Sequence, residues 1–267
     1  SIADGETVCA PSHVSGSSAT LPADKQPMPA ATSVWPTAGV TAAPGKARAA
    51  ILFGLPTKDV ADAAAAVMAG AASSTTPAAP TKVQLEALGI TGVTDANLAA
   101  VQAAIANNTS GAAGVDTLSE LQAVTTAAAA AAALASIKAA AEGNTATSGN
   151  LAATVFSTAG VTGVDANNLA AIQSALDSAA VNGNAADTKE EVQAIVDAYN
   201  AIKANADGTA NNNATNPTQA QYAAIGVTGV DTATEESLLG DAIDGKPFSA
   251  VDSVPEVQAL ANEQLLS

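Results

Sequence analysis

Apolar residues return along this chain at helical spacing. Leu98, Val101 and Ile105 stand at i, i+3 and i+7, and Leu169, Ile172 and Leu176 repeat the stripe. Val192, Ile195, Val196, Tyr199 and Ile202 predict a second, denser helical face. Strand-like runs are scarce. Thr154-Val155-Phe156 is the one short candidate, and its position fits a short helix better. The pattern predicts an all-α chain.

The helices are ordered by a repeat. Gly89-Ile90-Thr91-Gly92-Val93-Thr94 returns as Gly160-Val161-Thr162-Gly163-Val164-Asp165 and as Gly226-Val227-Thr228-Gly229-Val230-Asp231. A second anchor, Glu120-Leu121-Gln122-Ala123, returns as Glu191-Val192-Gln193-Ala194 and Glu256-Val257-Gln258-Ala259. The intervals Gly89 to Gln122, Gly160 to Gln193 and Gly226 to Gln258 agree to within a single position. The first period, Gly89 to Gly160, is longer than the second, Gly160 to Gly226. The longer period is assigned to extra residues at Ala127 to Ala133. A lengthening of close to two turns is expected to keep the helix's apolar face roughly aligned.

Each unit reads as three helices. A short one, such as Pro217 to Ile225, ends at a glycine with the character of a left-handed cap. Asp165 and Asp231 are the expected caps of the second helix. Copy three departs from the stripe, with Glu235 and Glu236 near it and Leu238, Leu239 and Ile243 shifted. Thr117-x-x-Glu120, Thr188-x-x-Glu191 and Ser253-x-x-Glu256 fit the capping box that starts a third helix. The expected organisation is a Pro-rich extended arm (1–34), a degenerate helical unit with linker (35–80), and three helical repeats (81–149, 150–216 and 217–267). Helices are expected at Lys46 to Phe53 and Thr57 to Ala72, and the last repeat reads as truncated.

Composition narrows the functions. The chain has 267 residues with 9 basic and 25 acidic side chains, a net charge of −16. Nine cations do not make a phosphate track, so nucleic acid is not an expected partner. Residues 1–80 carry a net −1 and residues 81–267 a net −15. Ala fills 70 positions, so the cores must be thin and the helices close. The Ala-rich run Ala127 to Ala141 is too short and weakly apolar for a transmembrane segment, and none is expected.

Candidate chemistry is sparse. One histidine, His13, and one cysteine, Cys9, leave little for a triad or a zinc site. The expectation is no catalytic, cofactor-binding or metal residue. Calcium remains open: Asn205-Ala206-Asp207-Gly208 holds part of an EF-hand pattern, but Lys203 stands where the first ligand belongs. The Gly-x-x-Gly turn lacks a phosphate-loop lysine and reads as structural. Gln122, Gln193 and Gln258 are expected to hydrogen-bond a neighbouring loop or to pack their stems.

The Gly-Val-Thr-Gly-Val-Asp turn, the downstream Asp-Thr-x-x-Glu-Val-Gln-Ala and the Asn/Thr-rich spacer resemble helical tandem repeats in very large bacterial surface proteins. Those are adhesin-like or surface-layer-like chains of Gram-negative bacteria. The resemblance covers residues 81–267. It implies an extracellular, non-enzymatic, structural or adhesive role. The leading expectation is a cell-surface stalk, or a surface-layer or filament subunit. Self-association would run through the N-terminal arm, with Met28, Val34 and Trp35 as its apolar anchors. The alternative is a surface binding module that captures a host or environmental ligand, with Tyr199, Tyr222 and Phe248 as its candidate contacts. An enzyme is the third and least favoured class.

Overall fold

The computed structural model describes residues 58–72, 79–149, 151–212 and 215–265. The expected arm, the expected helix Lys46 to Phe53, and the residues Cys9, His13, Met28, Val34 and Trp35 lie outside them. All described residues belong to one contact-connected unit. The described chain is all-α, with ten helices and no strand. They are α1 (Lys58–Ala72), α2 (Lys82–Ala87), α3 (Leu98–Ala106), α4 (Leu118–Gly143), α5 (Ala153–Thr158), α6 (Leu169–Leu176), α7 (Lys189–Asn205), α8 (Gln219–Ala224), α9 (Ala233–Asp244) and α10 (Val254–Leu265). Short 3₁₀ turns at Gly111–Gly114, Gly183–Ala185 and Phe248–Ala250 precede α4, α7 and α10.

The order short helix, glycine turn, second helix, 3₁₀ turn, third helix therefore occurs three times. Each short helix ends in the same way. Ile90, Val161 and Val227 donate their N–H to the carbonyls of Leu85, Phe156 and Tyr222, five positions back. Gly89, Gly160 and Gly226 donate to Glu86, Ser157 and Ala223. This is a Schellman cap, and it needs a residue at positive φ. The three glycines have φ of 79°, 81° and 88°. The apolar pair that spans each cap is buried, so the cap is also a core contact.

Third helices connect successive copies. α4 packs against α3 of its own copy and against α5 and α6 of the next, and α7 packs on α6, α8 and α9. α1 makes the corresponding contacts with α2 and α3. Two apolar clusters result. One runs from Ala63 to Ala128 and includes Leu85, Val101, Ile105 and Leu121. The other runs from Ala133 to Ala261 and includes Phe156, Leu176, Tyr199 and Tyr222.

The lengthened helix does not keep its apolar face aligned. Its buried residues include Leu121, Thr125, Ala129, Ala133, Ile137 and Ala141, four apart throughout. Four residues overshoot a helical turn by about 40°, so five steps carry the stripe about 200° around the helix. Leu121 serves the first cluster and Ile137 the second. Among the described residues α4 is also the one helix long and apolar enough to cross a membrane, with a mean hydropathy of 1.5 over its best window.

Copies two and three are joined more closely. α10 touches α6 of the preceding copy, and the Val254 N–H donates to Ser174 Oγ at 3.0 Å. Val251, Val254 and Val257 are buried in the second cluster.

Candidate functional site

The repeated polar residues converge beside the glycine turn. In copy one the Thr91 N–H donates to Gln122 Oε1 at 2.9 Å, and Gln122 Nε2 donates to the Thr91 carbonyl at 3.1 Å. Gln193 holds Thr162 in the same way, at 2.9 and 3.0 Å. Gln258 holds Thr228 at 2.8 and 3.1 Å. The remaining proton of each Nε2 goes one turn along its own helix, to Thr126 Oγ1, Asp197 Oδ1 or Asn262 Oδ1. Each carboxamide thus reads both sides of one turn residue's backbone. The expected link between the glutamines and a neighbouring loop is a two-way clamp.

The second glycine of each turn also sits at positive φ, between 81° and 85°. After it, copies one and two use a buried asparagine. Asn97 Oδ1 accepts from the Thr94 N–H at 2.7 Å, and its Nδ2 donates to the Gly92 carbonyl at 2.8 Å. Asn168 does the same with Asp165 and Gly163, at 2.8 and 2.7 Å. Asp165 accepts from the Asn167 and Asn168 N–H groups, one turn before α6, whose N-cap is Asn168. Its carboxyl is held below the usual range by the Asn167 N–H, with Lys203 adding a charge 3.7 Å away. Asp231 is not the cap of α9 either. Thr232 is, with Glu235 closing the box, so α9 begins earlier than its counterparts.

Thr117 and Thr188 form the expected boxes with Glu120 and Glu191. Ser253 instead donates its hydroxyl to Glu256 Oε2 at 2.8 Å. Boxes at Thr81-Gln84 and Thr218-Gln221 start the short helices α2 and α8. They carry the same S/T-x-x-E/Q signal, which was legible at both positions.

Two acidic residues with no motif hold the loops that enter copies two and three. Asp177 accepts the Ala146 and Thr147 N–H groups at 2.6 and 2.9 Å. Buried Asp244 accepts those of Asn211 and Asn212. Both lie at the end of a second helix, and both are tied to the loop that leads into the same copy's short helix. Only the tertiary fold brings these pairs together. Asp207, the residue considered for calcium, has its carboxylate on Asn212 Nδ2 and the Thr209 N–H, both at 2.8 Å. These bonds hold its pKa below the usual range. Among the described residues no group of three or more His, Cys, Asp or Glu side chains is placed to hold a metal ion.

The aromatic candidates lie inward. Tyr199 and Tyr222 are fully buried, and Phe248 is half-buried against the second cluster. Burial raises both tyrosine pKa values, with Asp252 and Glu256 adding to the effect at Tyr199 and Glu236 at Tyr222. Among the described residues, the large apolar side chains that face solvent are Val83 and Leu238. They lie in different copies. An open depression of about 510 Å³ lies beside the turn of copy two, bordered by Gly160, Thr162, Lys189, Glu190, Gln193 and Asp197. Gln193, Thr162 and Asp197 in its wall already bond to one another.

No protein-family model, no curated protein and no solved structure matches the chain.

Proposed function

We propose that this chain is a non-enzymatic structural protein of a bacterial cell surface, built of tandem three-helix modules that carry a stalk or build a surface layer or filament. One observation carries this reading. The residues that the repeat preserves (turn glycines and threonines, clamping glutamines) hold the scaffold together in all three copies. A repeat whose invariant residues are used up internally specifies reach and stacking, as in quasi-one-dimensional repeat proteins. Low aromatic content, a net charge of −16 and a surface of Thr, Ser, Asn and Gln support an extracellular setting. The Pro-rich arm at 1–34 is the proposed contact for self-association.

Capture of a host or environmental ligand is the weaker reading, because Tyr199 and Tyr222 are withdrawn from solvent. Small-angle scattering with light scattering on the full chain, with and without calcium, tests the proposal. An elongated monomer supports a stalk. Polymers that are lost when the Pro-rich arm is deleted support a layer or filament. A compact monomer at every concentration refutes both.

A further inference from the structure

Copy one carries a feature that the other second-helix ends lack. Asn107-Asn108-Thr109-Ser110 contains two overlapping Asn-x-Thr/Ser acceptor sequences for N-linked sugar, one on Asn107 and one on Asn108. The fold separates them. Asn108 is half-buried and occupied: its Oδ1 accepts the Ser110 N–H at 2.9 Å and its Nδ2 donates to the Gly114 carbonyl at 3.3 Å. Gly114 also packs closely on that carboxamide, where even a Cβ would come within 2.9 Å of Asn108 Nδ2. Asn107 is the C-cap of α3, and only its backbone N–H is engaged, to Ala103 and Ile105. Its carboxamide and Thr109 are both on exposed residues.

Neighbouring copies explain why this turn is open. Ser178 holds the same place after α6, two positions beyond Leu176 as Asn107 is two beyond Ile105. There the turn of the next copy covers it: a Cβ on Gly226 would sit 2.5 Å from Ser178 Oγ. At the junction after copy one, the atoms nearest a Cβ built on Gly160 are those of Lys189, not of the Asn107 turn. The acceptor sequence thus occurs at the second-helix end that the following copy leaves uncovered.

We infer that Asn107 is a site of N-linked glycosylation. The inference rests on the surface reading above, because such transfer accompanies export. In the reaction the Asn107 amide nitrogen bonds to the anomeric carbon of a sugar carried on a lipid pyrophosphate. The bond from that carbon to the phosphate oxygen breaks, and the lipid pyrophosphate leaves with its electron pair. The amide proton passes to a base of the transferring enzyme. A glycan at this position would displace no side-chain hydrogen bond.

The test uses the folded full-length chain, a purified oligosaccharyltransferase and a lipid-pyrophosphate-linked oligosaccharide. A free peptide with the Asn-Asn-Thr-Ser sequence is the positive control. The expected result is a gain of one glycan mass that maps to Asn107, is absent in N107Q and is retained in N108Q. Asn213, in Asn213-Ala214-Thr215, lies outside the described residues and serves as an internal comparison. Modification of the peptide without modification at Asn107 of the folded chain overturns the inference, as does a glycan found only on Asn108 or Asn213. Protease shaving of intact cells reads the surface location separately. A chain that accepts sugar on Asn107 but is never exported refutes the surface reading and leaves the acceptor assignment intact.

Discussion

At the scale of the residue, the glutamine clamp and the turn glycines make the sharpest predictions. Gln193→Ala removes two exposed backbone hydrogen bonds to Thr162, and each such bond contributes about 1 kcal/mol. The expected loss is about 1–2 kcal/mol by urea denaturation, with Gln122→Ala and Gln258→Ala behaving alike. A loss in one copy alone would show that the clamps are not equivalent. The glycines should divide by surroundings. Gly229→Ala meets no atom within 4 Å, so only the positive φ opposes it, at about 1 kcal/mol. Gly163→Ala carries the same strain and also sets its Cβ 2.9 Å from Asn200 Nδ2, so it should be the more damaging.

The titrating groups act with opposite signs. Asp165, Asp207 and Glu235 have carboxyls held below their usual values, each mainly by backbone or side-chain donors. Their contribution is complete above the ordinary carboxylate pKa and is lost as pH falls through the lowered ones. Asp252 is raised, by burial first and then by Glu256, so its contribution is present at acid pH and lost as pH rises through its folded value. Both tyrosines are raised, so folding is favoured below the ordinary tyrosine pKa and opposed as pH climbs above it. The chain has only these two tyrosines. In an alkaline titration, tyrosinate absorbance should appear in step with loss of helical circular dichroism. A gradual rise near the ordinary tyrosine pKa with the helices intact would mean that the hydroxyls reach solvent.

At the scale of the element, the local boxes at Thr117 and Thr188 marked the starts of α4 and α7, whereas the box at Thr232 was passed over for Asp231. Thr188 and Glu191 cap α7 through each other, so Thr188→Ala should cost about 1 kcal/mol. Ser253→Ala should cost less, since its hydroxyl contacts the Glu256 carboxylate and not a helix N–H. Starts were misplaced where the cap reaches across a turn. Asn97 and Asn168 bind the carbonyl of a glycine five positions back, and no spacing rule marks that bond. The winding of the buried stripe of α4 was not legible, because the partners of each half lie in different copies.

At the scale of the whole molecule, α4 is the described helix whose buried residues divide between the two apolar clusters. Ala131 lies on its exposed side, between Ala128 of one cluster and Ala133 of the other. Ala131→Pro removes a helical hydrogen bond and introduces a clash, at about 3 kcal/mol or more. Thermal unfolding of that variant should split into two transitions. Hydrogen exchange should then show α6 and α7 protected after α2 and α3 have opened. A single transition that moves as one would mean that contacts outside α4 couple the clusters. The second cluster should be the sturdier, because it contains Phe156, Tyr199 and Tyr222, whereas the first is aliphatic.

The sequence by itself determined what lies within one turn of helix or one tight turn. It marked the helical class, the three glycine caps and the capping residues Thr117 and Thr188, because each depends on neighbours at most five positions apart. It also marked the glutamines, through their recurrence. Tertiary structure decided the rest: which side of α4 meets which core, that Tyr199 and Tyr222 face inward, and that Asp177 and Asp244 hold loops remote from them along the chain. It also decided that Asn107 is open while Ser178 is covered. These outcomes depend on how one copy is rotated against the next. That rotation follows from the length of a shared helix, at about 100° per residue, and not from any motif.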